Sequence, residues 1–169
     1  MTEEKKNGFR AAVITSSDKG YAGEREDVSG TVVREMLEAQ GYTVGRYVVL
    51  PDEFDLLKKE MADICDRNVA DLLITTGGTG FSPRDCTPEA TLAVGERGVP
   101  GIPEAMRQNS LRITGRAMLS RAVSVIRKNT LIINLPGSPK SVRENLAFVL
   151  PDLAHGLEML TGRGGECAR

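Results

Sequence analysis

At 169 residues and 40% hydrophobic side chains, the chain fits one domain spanning 1–169 with an ordered core over about 9–160, and it is too apolar for a disordered or coiled-coil protein. No apolar run reaches the roughly 18 to 20 residues of a membrane span, and the start MTEEKKNGFR lacks the apolar stretch of a signal peptide. The expectation is a cytoplasmic protein with no membrane partner. The net charge of −1 conceals a segment from Ala105 to Arg143 with eight cations and no acid, against 14 basic and 23 acidic groups elsewhere. That asymmetry fits either steering of an anionic ligand or an ordinary solvated surface, whereas a pI of about 5.9 and a segment without Phe, Tyr or Trp argue against nucleic acid.

In chain order, Phe9 to Thr15 reads as a buried strand, followed by the polar loop SSDKGYAGERED. Ser29 is placed to cap a helix through TVVREMLEAQ, which Gly41 ends in a left-handed turn. Tyr42 to Leu50 is the next strand. Asp52 stands where an N-cap belongs, ahead of an amphipathic helix carrying Phe54, Leu57, Met61 and Ile64 as far as about Arg67. Ala70 to Thr76 is a central strand running into GGTG. Thr87 and Pro88 form a cap and first-turn pair for another helix, and Pro103 opens one more. Ala122 to Arg127 and Thr130 to Leu135 fit a hairpin closed by Lys128 and Asn129, with Asn129 taking the positive φ. Ser138 and Pro139 open a helix that Pro151 interrupts before a final one reaches about Leu160, and the tail TGRGGECAR is expected to fray. The alternation predicts a three-layer α/β fold. Its mostly parallel sheet carries helices on both faces and one antiparallel strand pair near the end.

Ligands of such sheets sit beyond the carboxyl ends of the strands, so the loops leaving strands hold the chemistry. In TTGGTGFSPRDCTPEAT, Gly77, Gly78 and Gly80, with Thr79 between them, let the backbone approach a ligand and offer its N–H groups. The loop is neither a Walker A motif nor a dinucleotide fingerprint, since no Gly-Lys-Ser/Thr follows and Pro83 stands where a third glycine belongs. Asp85 lies at the mouth of the next helix. There it could ligate magnesium bridging to phosphate oxygens, or it could cap the helix or pair with Arg84. Asp52 in LPDE could join it on one metal, or merely cap its own helix. In NLPGSPKS, Gly137 and Ser138 at a helix start can bind an anion, with Lys140 supplying charge, although Ser138 could serve only as the cap.

The three cysteines, Cys65, Cys86 and Cys167, are far apart with no CxxC pair and read as reduced thiols. With His155 the lone histidine, a multi-histidine metal site is excluded. A hard cation held by carboxylates and substrate oxygens remains, which points to magnesium.

TTGGTGFSPRDCTPEAT and INLPGSPKSV, together with LPDE, the DVSG at Asp27 to Gly30 and MLSRAVSVIRKNTLI, resemble the MogA/MoaB family of molybdenum cofactor biosynthesis proteins over about Phe9 to Leu160. The likeness is nearest to MogA-type members and to the G domains of plant Cnx proteins and gephyrin. It implies a homotrimer that transfers AMP from Mg-ATP to the terminal phosphate of molybdopterin, releases pyrophosphate, and hands its product to a MoeA-type molybdate insertase. By the same resemblance, the functional acidic pair falls on Asp52 and Asp85, the ligand loop on Gly77, Gly78, Thr79 and Gly80, and a pterin-contacting serine on Ser110. Cys86 stands where Val is commoner in that motif. Three alternatives share the fold: a MoaB-type molybdopterin binder without catalysis, a scaffold of the gephyrin kind, and a competence-associated nucleotide pyrophosphatase.

Overall fold

The computed structural model describes residues 7–163; Cys167 and the end of the tail lie outside them. Six strands form one sheet in the order β2-β1-β3-β6-β5-β4. They are β1 (Arg10–Ser16), β2 (Thr43–Leu50), β3 (Leu72–Thr76), β4 (Arg97–Gly98), β5 (Ser124–Arg127) and β6 (Thr130–Leu135). β1 lies parallel to both β2 and β3, and β3 lies parallel to β6. The expected antiparallel pair is β5 with β6, and the two-residue β4 extends it by pairing antiparallel with β5. So short a strand carries no period-two signal.

Alternate residues of the buried strands feed two cores. Ala11, Val13, Leu72, Ile74, Leu131 and Ile133 face α2 (Val28–Ala39) and α6 (Pro139–Leu160). Ala12, Ile14, Leu73 and Ile132 face α3 (Phe54–Asp66) and α4 (Thr87–Val94) on the other side. Apolar residues at both parities explain why these strands read as continuous hydrophobic runs. Two smaller elements lie in segments without a periodic pattern: α1 (Asp18–Tyr21) and a 3-10 helix (Gly115–Leu119) after α5 (Gly101–Leu111).

Several expectations are corrected in detail. Asp27, not Ser29, caps α2, accepting from Gly30 N at 2.9 Å. Ser29 instead donates to Gly137 O at 2.6 Å, tying the helix start to a distant loop. Pro151 does not interrupt α6, which runs unbroken for 22 residues. The lost backbone bond is outweighed by Leu146, Leu150, Leu153 and Leu157 packed against the sheet. In the hairpin, Lys128 rather than Asn129 has positive φ, at 51°. Its amide donates to Glu96 Oε2 at 2.9 Å and its ammonium pairs with Asp66 at 3.2 Å, and those contacts fix the turn. Gly41, with φ of 86°, ends α2 as its position implied.

Candidate active site

The sheet order places β1 between β2 and β3, so the chain leaves β1 toward one edge and crosses back to build the other. Loops diverge at such a point and open a crevice at the carboxyl ends. Here the loops after β1, β3 and β6 meet backbone to backbone. Gly77 has φ of 89°, and a Cβ on it would collide with Ser16 O. A Cβ on Gly137 would lie 3.3 Å from the Gly77 Cα. Sterics and positive φ require glycine at position 77, and the tight contact at 137 favours it there.

Two cavities open at this junction. The first, of about 420 Å³, is lined by Thr79, Gly80, Met106, Ser110, Glu144 and Asn145 among others. The second, of about 610 Å³, is lined by Ser16, Asp27, Ser29, Asp52, Gly77 and Ser138 among others. Gly78, Asp85 and Gly137 line both, forming a shared wall.

Asp52 is not a helix cap. The cap position of α3 belongs to Glu53, with no side-chain cap bond, because the helix starts one residue later than its pattern suggests. The Asp52 carboxylate reaches back across the strand ends, where Oδ1 accepts from the Ser16 hydroxyl at 2.5 Å and Oδ2 from Asp18 N at 3.1 Å. Asp18 Oδ1 accepts the Asp52 amide at 3.0 Å, and Arg84 clamps the Asp18 carboxylate at 2.9 and 2.8 Å. The Arg84 guanidinium and the Asp52 amide hold the Asp18 carboxyl below the usual carboxylate range. Arg84 is therefore the partner of Asp18 and not of Asp85.

Asp85 braces its own loop. Oδ2 accepts from Gly80 N at 3.0 Å and Ser82 N at 3.2 Å, while Oδ1 has no hydrogen-bond partner among the described residues. Arg121 holds the loop from outside, donating to Gly80 O at 2.7 Å and Asp85 O at 3.0 Å and pairing with Glu89. Thr87 is the first residue of α4, not its cap; that position falls to Cys86, which makes no side-chain cap bond. The Thr87 hydroxyl is buried and has no partner among the described residues. A Cβ on Gly78 would come against that hydroxyl and within 3.1 Å of Ser16 Oγ and 3.2 Å of Asp52 Oδ1, so these oxygens crowd one glycine.

Ser110 lines the first cavity and Gly137 lines both. Ser138 lines the second while also capping α6, accepting from Ser141 N at 3.1 Å. Lys140 lines neither, is 82% exposed and stands 4.0 Å from Glu144. Of the eight cations between Ala105 and Arg143, only Arg107 and Arg116 line the first cavity. Arg107 donates to the Ser120 and Ala122 carbonyls, Arg121 braces the loop, and Arg127 and Lys128 pair with Asp66. Much of this charge therefore serves structure. Sequence reasoning missed Ser16, Asp18, Arg121 and Asn145. The first two stand at the carboxyl end of β1 and the start of α1, and the carboxyl-end rule alone could have flagged them.

No group of three or more His, Cys, Asp and Glu side chains that could hold a metal occurs among the described residues. Asp52 and Asp85 line the second cavity together with Glu26 and Asp27, and carboxylates on one cavity suit a magnesium ion that takes its other ligands from water and phosphate oxygens. The unpartnered Thr87 hydroxyl is fully buried against Gly78 and lines neither cavity.

The arrangement defines a doubly wound α/β protein with a two-part polar cleft at its switch point. The sequence profile of the family described as "probable molybdopterin binding domain" matches residues 12–155, and the chain belongs to that family. It is 42% identical over 154 residues to the molybdopterin adenylyltransferase of Helicobacter pylori strain J99, covering 89% of this chain and 86% of that protein. It is 41% identical over 145 residues to the molybdopterin adenylyltransferase of Escherichia coli K12, covering 85% and 74%. Among solved structures, the molybdopterin biosynthesis enzyme MoaB of Thermus thermophilus superposes with a TM-score of 0.86 at 49% identity, covering 91% of this chain and 97% of that one.

Proposed function

We propose that the chain is a molybdopterin adenylyltransferase, joining AMP from ATP to the terminal phosphate of molybdopterin in molybdenum cofactor biosynthesis. The observation that carries this reading is the wall of Gly78, Asp85 and Gly137 common to two cavities, which suits two substrates that meet through their phosphates. Molybdopterin belongs in the first cavity, against Ser110. ATP belongs in the second, against Ser16, Asp52, Ser29 and Ser138. Names of the relatives at 41% to 42% identity support the same reaction.

An oxygen of the molybdopterin phosphate attacks the α-phosphorus of ATP, forming a new P–O bond as the bond to the departing pyrophosphate breaks. A phosphate monoester is largely ionised near neutral pH, so no protein base is required. The shared glycines let both phosphate groups approach the backbone and align for attack, and the loop bracing by Arg121 and Asp85 fixes their positions. Asp52 and Asp85 would hold magnesium, which when bound offsets the charge of the facing phosphates. Cytoplasmic location, a homotrimer and hand-over to a MoeA-type insertase belong to the same proposal. Among the described residues no helix is long and apolar enough to cross a membrane.

The test is a single-turnover reaction of the purified chain with molybdopterin, ATP and magnesium. Adenylylated molybdopterin and pyrophosphate should appear in equal amounts. Under the binding-only alternative, molybdopterin would be retained and no pyrophosphate released.

A smaller expectation concerns Thr87. Burying an unpartnered hydroxyl costs about 1–3 kcal/mol, so Thr87→Val should raise the melting temperature of the ligand-free protein. Thermal unfolding of the two proteins measures it, and an unchanged or lower melting temperature would contradict it.

A further inference from the structure

We infer that Arg25, in the segment joining α1 to α2, holds the two phosphates that leave ATP as pyrophosphate, and so makes the second cavity select a nucleotide by the length of its phosphate chain. This rests on the placement of ATP in that cavity and goes beyond it by naming the cation that meets the leaving group.

A triphosphate needs positive charge around it, and the chain's basic segment does not supply it here. None of the eight cations between Ala105 and Arg143 lines the second cavity, whose walls carry Glu26, Asp27, Asp52 and Asp85. With so many carboxylates facing a polyanion, a magnesium ion alone leaves an excess of negative charge. Among the described residues Arg25 is the one Lys or Arg that lines this cavity, and it does not line the first. The chemistry fixes what it meets there. In an in-line displacement the attacking and leaving oxygens stand on opposite sides of the phosphorus. Molybdopterin attacks from the first cavity across the wall of Gly78, Asp85 and Gly137, so the pyrophosphate must depart away from that wall, into the part of the second cavity that the first does not share.

The backbone carrying Arg25 is held on both sides. Glu24 N donates to Lys19 O at 2.9 Å. Asp27 accepts from the Tyr47 hydroxyl and, at 2.6 Å, from the Thr15 hydroxyl, while its other oxygen caps α2 through Gly30 N. Those three donors satisfy Asp27. The other carboxylates of this end are also engaged: Arg84 clamps Asp18, and Asp52 accepts from Ser16 and Asp18 N. Arg25 itself is exposed and makes no hydrogen bond or ion pair among the described residues. Arg10, Arg46, Arg84, Arg121 and Arg127, by contrast, each pair with a carboxylate. A guanidinium with its full fork of donors unused, on the rim of a polyanion site, is matched to phosphate oxygens.

The experiment is calorimetric titration of Mg-ATP, Mg-pyrophosphate, AMP and molybdopterin, at constant salt and free magnesium, into wild type, Arg25→Ala and Arg25→Lys. In Arg25→Ala the affinities for Mg-ATP and Mg-pyrophosphate should each fall about tenfold, while those for AMP and molybdopterin stay at the wild-type value. Arg25→Lys should keep Mg-pyrophosphate affinity within about threefold of wild type, since a point charge also serves a phosphate. Arg25 makes no bond in the free protein, so both variants should melt with wild type and no loss can be laid to misfolding. Undiminished Mg-pyrophosphate affinity in Arg25→Ala would overturn the assignment. Equal losses for Mg-ATP and AMP would set the side chain against the adenosine and overturn it as well. Wild-type protein that binds molybdopterin but no Mg-ATP would instead refute the underlying placement of the nucleotide.

Discussion

Asp85→Asn should lower AMP transfer by about two to three orders of magnitude while leaving the fold and its melting temperature close to wild type. The substitution separates shape from charge. An asparagine oxygen can still accept from Gly80 N and Ser82 N, so the loop keeps its bracing, and Arg121 continues to hold the Gly80 and Asp85 carbonyls. The carboxylate charge on the wall common to both cavities is lost. Asp52→Asn should act in the same direction, since Asp52 does not cap α3 and its removal takes no cap from the helix. Single-turnover rates beside thermal melts distinguish the two effects. Wild-type turnover in a folded Asp85→Asn protein would remove Asp85 from the site.

Gly78→Ala should damage both reaction and fold, losing at least about a hundredfold in transfer and several degrees in melting temperature. Gly78 has φ of 67°, a conformation that costs an L-residue about 1–2 kcal/mol before any contact is counted. The added methyl would also meet the Thr87 hydroxyl, Ser16 Oγ and Asp52 Oδ1, displacing the Asp52 carboxylate from its Ser16 bond. Gly45→Ala in β2 is the control, because a Cβ there meets nothing within 4 Å. Equal behaviour of the two variants would show that the turn's shape is not needed for the reaction.

The sequence was most legible where structure depends on near neighbours. ADLLITT reads as a strand because both of its faces are buried, and Ser138 with Pro139 opens α6 because capping is settled within one turn. Asp52, Asp85 and the glycines stand out because loops leaving parallel strands are short and rich in special residues. What failed depends on distant partners. Ser29 loses the cap to Asp27 because its hydroxyl bonds Gly137, 108 residues away. Lys128 takes the left-handed turn because Glu96 and Asp66 wait for it. The eight cations looked like a ligand-steering face, yet several are consumed by carbonyls and carboxylates brought near only by the sheet order. Asn145 gave no local sign of its place in the first cavity, since it meets Ser110 only where α5 packs beside α6.

The most direct test of a two-cavity site meeting at one wall is a crystal structure of the chain with adenylylated molybdopterin. The account predicts the pterin ring in the first cavity beside Ser110 and Glu144, the adenosine in the second, and the linking diphosphate against Gly78, Gly137 and Asp85. A product seated wholly within one cavity, or with its diphosphate away from Asp85, would contradict it.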